Sequence, residues 1–367
     1  MIKAESDLIE RRSTWWRKYE KGDEHGILDL FRIGGIARTI EEWFWEYRDN
    51  PYGNFIWVGE HGGQIIGHLA SLPAQMRIGD RKATGIQTVD VIVHPKFRHQ
   101  GMLVEMGKAS AEEARKRGIG LTYGFPNRPT GHQKYGGFVI CKIPSLVRFV
   151  NIGKTVDFLQ RRYRIPRVVA PTLLRVFLLI IGMFTYLHSR IADIAKYDVN
   201  LANVKIRAVT SFDDRIDDFW KRASKFYDIT VIRNRKYLNW RYVRKPNVKY
   251  AILLAEKKEK NLGYIVLRCR NEKNLKLGYI VDVLASSADV AQLLFSKAIE
   301  HFKKENVDAM ICFMLKNNVY YKILRFNNFV PIESTWFVAM VDSSWLSEKF
   351  VRDYTSWYVT MGDTDYI

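Results

Sequence analysis

Two stretches of the chain alternate apolar and polar positions with period two, and each gives way to a helical period. In the first stretch, residues 55–58 and 64–71 read as a hairpin around Glu60, His61, Gly62 and Gly63. Residues 76–78 and 82–84 suggest a second hairpin around Gly79 and Asp80. Residues 87–93 form a strand with an almost continuous apolar end, stopped by His94 and Pro95, because proline cannot donate to a ladder. A helix is predicted over 101–117, with Met102, Met106, Ala109 and Glu113 on successive turns and Gly118 and Gly120 ending it. Residues 121–125 read as a short strand, 127–131 as a loop, and 137–140 as the opening of a further strand. Residues 1–50 read as helical, with Trp15, Trp16, Trp43, Phe44, Trp45 and Tyr47 supplying apolar faces.

After Val204 the pattern begins again. Strands are predicted at 251–255, 263–268 and 278–285, a helix at 289–304, and strands at 308–315 and from 326–330. Val89-Asp90-Val91-Ile92-Val93 parallels Val281-Asp282-Val283-Leu284-Ala285, Gly67 parallels Gly263, and Phe138-Val139 parallels Phe329-Val330. These matches are 192, 196 and 191 residues apart and keep the order of elements. A period of that length implies duplicated domains rather than a solenoid. Hairpins mixed with strand–helix–strand units give an α/β class, in the α+β sense of a mixed sheet. The expected division is 1–150, a connector over 151–203, and a second copy over 204–367.

Composition narrows the class. The 367 residues are 47% hydrophobic and 26% charged, which excludes a disordered chain. The net charge of +19 calls for an anionic partner: nucleic acid, a membrane surface or a phosphorylated small molecule. Cys141, Cys269 and Cys312 form no CxxC pair, so neither a zinc site nor a disulfide framework is expected, and a cytoplasmic setting fits. The first residues lack the apolar core of a signal peptide. Residues 168–187 are apolar apart from Arg175, yet shorter in uninterrupted length than the ~20 residues a span needs. They read as a buried or interfacial helix in a basic connector, with peripheral membrane contact through 165–188 and a single span both left open.

The chemistry concentrates between Val91 and Leu103. A strand ends at Pro95, a basic loop follows, and a helix starts near Gly101. N–H groups at a helix start are unpaired and the helix dipole adds positive charge there. Arg98 and His99 sit beside them, and Gly101 leaves the backbone open to an anion, which makes a pyrophosphate site. The loop is neither a Walker loop nor a Rossmann GxGxxG.

The run Val93-His94-Pro95, the loop Arg98-His99-Gln100-Gly101-Met102-Leu103, the helix to Arg117, Phe125-Pro126-Asn127 and Tyr135-Gly136-Gly137-Phe138 together resemble the GNAT acyltransferase superfamily. Leu103 departs from the smaller residue usual at its place. The tandem arrangement resembles the enhanced-intracellular-survival-type acetyltransferases. The resemblance implies two tandem GNAT folds and a direct transfer of an acetyl (acyl) group from acetyl-CoA, as co-substrate and without a metal, to a primary amine. It implies that the backbone of Val91, Ile92 and Val93 pairs with the pantetheine arm. Arg98, His99, Gln100, Gly101, Met102, Leu103 and Val104 would hold the pyrophosphate, and Asn127 would contact the CoA arm. Tyr135 is the candidate acid for the leaving thiolate. Asp90 is the candidate base, with a structural role as its rival because Asp282 matches it. Glu60, His132 and the terminal run 357–367 are further candidates for the base, the last read mainly as a solvated tail.

The second copy lacks Arg-x-x-Gly: Ser286, Ser287, Ala288 and Asp289 follow its strand, so it is not expected to bind CoA. Two other readings stay open at this point: a Fem-type aminoacyltransferase using aminoacyl-tRNA, and a non-catalytic, membrane-associated binding module. The surplus charge in 151–200 points to a membrane surface or an acidic partner rather than nucleic acid, and to a cytoplasmic protein peripheral to the inner face of the membrane. Acceptor, acyl length and oligomeric state are open.

Overall fold

The computed structural model describes residues 15–151, 153–154, 201, 203–272 and 274–365. The apolar segment 165–188 and most of the connector lie outside these residues, as do 1–14, Tyr366 and Ile367. No helix among the described residues is long and apolar enough to cross a membrane.

The first run of elements is β1 (Trp16–Lys18), α1 (Glu24–Ile33), α2 (Ile40–Trp43), β2 (Phe55–His61), β3 (Gln64–Ile78), β4 (Arg81–Val93), α3 (Met102–Lys116), β5 (Leu121–Gly124), α4 (Thr130–Gln133) and β6 (Phe138–Phe149). The second is β7 (Lys205–Val209), α5 (Arg215–Ala223), β8 (Ile229–Val231), α6 (Arg235–Leu238), β9 (Ala251–Lys257), β10 (Lys260–Glu272), β11 (Leu275–Ala285), α7 (Ala288–Lys304), β12 (Ala309–Phe313), α8 (Val319–Phe326), β13 (Val330–Val341) and α9 (Glu348–Arg352). The mixed α/β class expected from the patterning is the observed one. Both expected hairpins are observed, β2 with β3 and β3 with β4, and their strands are longer than expected: 64–71 and 76–78 are one strand, as are 82–84 and 87–93. Trp16, expected in a helix, lies in β1 because Trp16, Arg17 and Lys18 pair along β2. The helix α8 has no counterpart in the sequence-based expectation.

All thirteen strands among the described residues join one sheet, in the order β1-β2-β3-β4-β5-β13-β6-β12-β11-β10-β9-β7, with β8 added on β3. The two runs exchange their last strands. The late strand β13 lies between β5 and β6, and β6 lies between β13 and β12. Neither run therefore completes its sheet without a strand from the other.

Glycines set how closely the helices approach. A Cβ at Gly59 or Gly67 would sit 2.5 Å from Met102 Sδ of α3, and one at Gly278 would sit 2.6 Å from the Phe302 ring of α7. Bare backbone at these points lets each helix seat its apolar stripe directly on the strands. The correspondence of Gly67 and Gly263 is thus a packing requirement, with Leu294 of α7 over Gly263.

Between the runs, Trp45 and Trp240 stack at 5.2 Å. Each indole N–H donates to the other's backbone carbonyl, at 2.8 and 3.0 Å. Both tryptophans sit in π-type turns, 44–48 and 239–243, that follow α2 and α6. Below them, buried Arg233 links Asp282 of β11 at 3.2 Å to Asp363 near the C-terminus at 2.6 Å. Removing one partner of such a group leaves uncompensated buried charge. Arg233→Met is expected to lower stability by about 3–5 kcal/mol in urea denaturation, because two carboxylates lose their cation together.

Candidate functional site

The site begins where two parallel strands part. β4 and β5 are hydrogen-bonded only at Gly85–Leu121, Ile86–Thr122 and Gln87–Tyr123, while β4 runs on to Val93. β5 instead follows β13 through Gly124. The edge of β4 from Thr88 to Val93 therefore faces a wedge with no strand across it. On its other edge β4 keeps to β3 with a register break: Val89 pairs with Ala70 and Ile92 with His68, leaving Asp90 and Val91 as a bulge. Asp90 takes φ +49°, the left-handed region unusual for a non-glycine residue. The bulge leaves Val91 37% exposed, beside Ile92 and Val93 on the open edge.

The Asp90 side chain is bound tightly. Arg38 and the Tyr47 hydroxyl both donate to it, and Arg38 also pairs with Glu46 at 2.9 Å. The Asp90 carbonyl lies 2.8 Å from Nδ1 of buried His68, whose pKa burial lowers to about 4. Asp90, the expected candidate base, thus has its carboxylate committed to an arginine and a phenol.

At the mouth of the wedge the loop 98–101 turns into α3. His99 and Gly101 both have positive φ, +65° and +86°. Arg98 Nε donates to the Val93 carbonyl at 3.2 Å, tying the loop to the end of β4. No side chain caps α3, and a Cβ on Gly101 would meet nothing within 4 Å. The N–H groups of Val104 and Glu105 return to the Gly101 carbonyl, while Met102 and Leu103 complete the open first turn. The loop from Arg98 to Val104 is a cationic nest of the kind that holds a phosphate.

Tyr135 lies on the α3 side of the wedge's apex, beside Thr88. Its ring occupies the space a Cβ on Gly107 would take, and burial raises its pKa. His132, 5.4 Å away between ring centroids, is lowered to about 4 by burial, and its Nε2 finds no partner among the described residues. Both groups are neutral at pH 7. Asn127 is exposed just past β5. Glu60 lies away from this cluster, in an ion pair with Arg17 at 2.8 Å.

The terminal run is a correction to the sequence-based expectation. Trp357, Tyr358, Val359, Thr360 and Asp363 are buried rather than solvated. Arg241 holds the Gly362 carbonyl at 3.0 Å and also donates to the Thr364 carbonyl, which delivers Asp365 to the region of Asp90 and Glu46. Burial first, then the like charges of Asp90 and Glu46, push the Asp365 carboxyl up to about 7. Lys245, 4.8 Å over the Trp45 ring, is pushed down to about 7 by burial and then by Arg241. The sequence did hold a signal for this cluster: Arg38, Trp45 and Tyr47 recur as Arg233, Trp240 and Tyr242, each 195 residues on.

A second wedge exists between β11 and β12, whose pairing stops at Ile280–Cys312 although β11 continues to Ala285. It is filled by the protein itself. The Tyr358 hydroxyl donates to the Val283 carbonyl, and the Ala285 N–H donates to the Tyr320 hydroxyl at 2.8 Å. The start of α7 is capped by Ser287, which accepts from Val290 N at 3.3 Å. Hydroxyls and a cap thus satisfy here the groups left open in the first wedge.

Beside Asn127 opens a cavity of about 450 Å³, floored by one face of β13, β6, β12 and β11 and bounded by Met361 and Thr364. It exists only because β6 is inserted between β13 and β12.

Residues 10–140 match the family model described as acetyltransferase (GNAT) domain. No curated protein is significantly similar to the chain in sequence. Among solved structures the fold is similar to a GCN5-related N-acetyltransferase from Anabaena variabilis, with a TM-score of 0.63, 11% identity, and coverage of 89% of this chain and 72% of that one. It is similar to an Enterococcus faecalis protein described as a probable N-acyltransferase, with a TM-score of 0.60, 13% identity, and coverage of 89% and 72%. It is also similar to Saccharomyces cerevisiae N-myristoyltransferase solved with bound myristoyl-CoA, with a TM-score of 0.59, 11% identity, and coverage of 89% and 78%.

Calorimetric titration with coenzyme A is expected to give one site per chain. Gly101→Glu, which adds a carboxylate to the nest and a Cβ at positive φ, should weaken it roughly tenfold or more. Two sites, or one that Gly101→Glu leaves unchanged, would contradict this arrangement.

Proposed function

We propose that the protein is an N-acyltransferase that carries an acyl-CoA in the wedge between β4 and β5 and passes the acyl group directly to an amine. The observation that carries this reading is the pairing of an unpartnered strand edge, 88–93, with an anion nest at its mouth, 98–104. A pantetheine arm offers amides to such an edge and a pyrophosphate to such a nest. In this reading the chain holds two GNAT-like copies, divided near 1–150 and 204–367 with exchanged last strands, and only the first binds CoA. Acetyl is the acyl group we assign.

Val91, Ile92 and Val93 would pair with the arm, the loop from Arg98 to Val104 would bind the pyrophosphate, and Asn127 would steady the arm past β5. The amine nitrogen attacks the thioester carbon, the N–C bond forms, the C–S bond breaks, and the amine gives up a proton. We assign that proton to Asp365, whose raised pKa suits a base working near neutrality. Asp90 then acts as a positioning residue, its charge helping to set the pKa of Asp365. Tyr135 is assigned as the acid. Burial keeps its proton in place at pH 7, and a thiolate forming beside it in the same desolvated region is itself a stronger base than in water.

A carboxyl titrating near 7 is protonated below that pH and becomes a base above it. Thiol release is therefore expected to rise with pH along a limb centred near 7. Asp365→Asn should remove the limb and lower kcat by on the order of a hundredfold, with CoA affinity unchanged. Asp90→Asn should move the limb to lower pH. A limb that survives Asp365→Asn assigns the proton elsewhere.

A further inference from the structure

The chemistry above requires an amine but does not choose one. The cavity beside Asn127 does. It starts at Pro126 and Asn127, at the end of β5, and at Met361 and Thr364, next to Asp365. From there it follows β12 from Phe313 to Ala309 and ends at Leu275 and Glu272. Five strand residues at ~3.3 Å each make this a trough about 15 Å long. Its floor is apolar and built by alternation: Val147 and Phe149, Ala309 and Ile311, Leu275 and Leu277 come from three neighbouring strands and cluster together.

The charge of the lining points the same way. The chain carries 58 Lys and Arg against 39 Asp and Glu, yet the described residues that line the trough include Glu272 and Glu333 and, among those described, no lysine or arginine. Arg270 reaches Glu272 at 3.6 Å and Lys142 lies 4.1 Å over the Trp336 ring, so these two basic groups meet lining residues from the rim, and the strand floor stays apolar. A polyamine or an amino sugar would lose water along the apolar floor and meet polar partners there only at separate points such as Glu272, Glu333 and Ser145. An apolar chain gains about 0.8 kcal/mol for each buried methylene.

We propose that the acceptor is an elongated primary amine with an apolar body, an alkyl- or arylalkylamine, lying in this trough with its nitrogen at the Asn127 end. This rests on the acyl-transfer reading for its chemistry and on the trough for its specificity. The amine nitrogen enters between Asp365 and the end of β5. The apolar body lies along β12. The products are an N-acylated amphiphile and free coenzyme A.

Two measurements test it separately. The first compares thiol release from acetyl-CoA with decylamine, spermidine and glucosamine as acceptors. Decylamine is expected to have a kcat/KM higher by roughly tenfold or more. The second needs no reaction: decyltrimethylammonium, below its critical micelle concentration, is titrated into protein loaded with coenzyme A. Ile311→Trp, at a half-buried position on the floor, should weaken this binding by roughly tenfold or more and leave the affinity for CoA unchanged, which also reports that the variant is folded. Preference for spermidine or glucosamine, or ammonium binding that ignores Ile311→Trp, overturns the proposal. So does an Ile311→Trp effect confined to the KM of a long-chain acyl-CoA, because the trough would then hold the acyl chain. Ammonium binding that responds to Ile311→Trp in a protein that binds no CoA leaves the trough as a site for apolar cations and removes the acyl-transfer reading instead.

Discussion

The bond between Arg38 and Asp90 fixes the point at which two parallel strands part. This bulge costs a ladder bond and places Asp90 in the left-handed region, so it persists only when something holds it. Here Arg38 and Tyr47 hold the carboxylate while His68 meets the carbonyl. The bulge turns β4 away from β5, and the opening it leaves lies beyond Gln87, where their pairing stops. The basic loop from Arg98 to Gly101, Tyr135, and the arrival of Asp365 are all arranged around that opening. The second run sets a similar pair, Arg233 with Asp282, beside a register break of its own: Asp282 pairs with Val266 and Ile280 with Leu267, leaving Val281 as a bulge. There the cluster recruits Thr360 and Asp363, and the chain's own tyrosines close the wedge. One half thus spends its bulge on ligand space and the other on anchoring the C-terminus. That anchoring is what brings Asp365 to the first half.

Much of this was legible in the residues. Period-two alternation located β2, β3, β10 and β11, and the helical period located α3 and α7, because each of these elements buries one face. The loop from Arg98 to Gly101 was visible because its chemistry is local. The strand exchange was not, since β6 and β13 carry the same apolar alternation whichever neighbours they take. The trough followed it out of sight: Val147, Ile311 and Leu277 become neighbours only through that exchange. The terminal run was misread because its charged residues suggest solvent. Asp363 is buried only because Arg233, 130 positions earlier, is there to meet it. Asp365 was named in the sequence only as part of a tail, and its raised pKa depends first on burial and then on Asp90 and Glu46, which nothing local announces.

The charge of +19 is now divided more clearly. Arg98 and the α3 terminus account for a small share, at the site itself. Among the described residues, none that lines the trough is basic, although the chain abounds in basic residues. The basic surplus of 151–200 lies almost wholly outside the described residues. Among the described residues, charge around the site thus separates into two regions, a basic loop at the end of β4 and a trough lining that holds carboxylates but no lysine or arginine.

Amide hydrogen exchange with and without coenzyme A measures the central claim most directly, because it reads which strand edge takes the ligand. Protection is expected to rise at 88–93 and 98–104 and to stay unchanged at 281–288. Protection at 281–288, or none at 88–104, would contradict an account in which a single wedge, opened at Asp90, is the binding site.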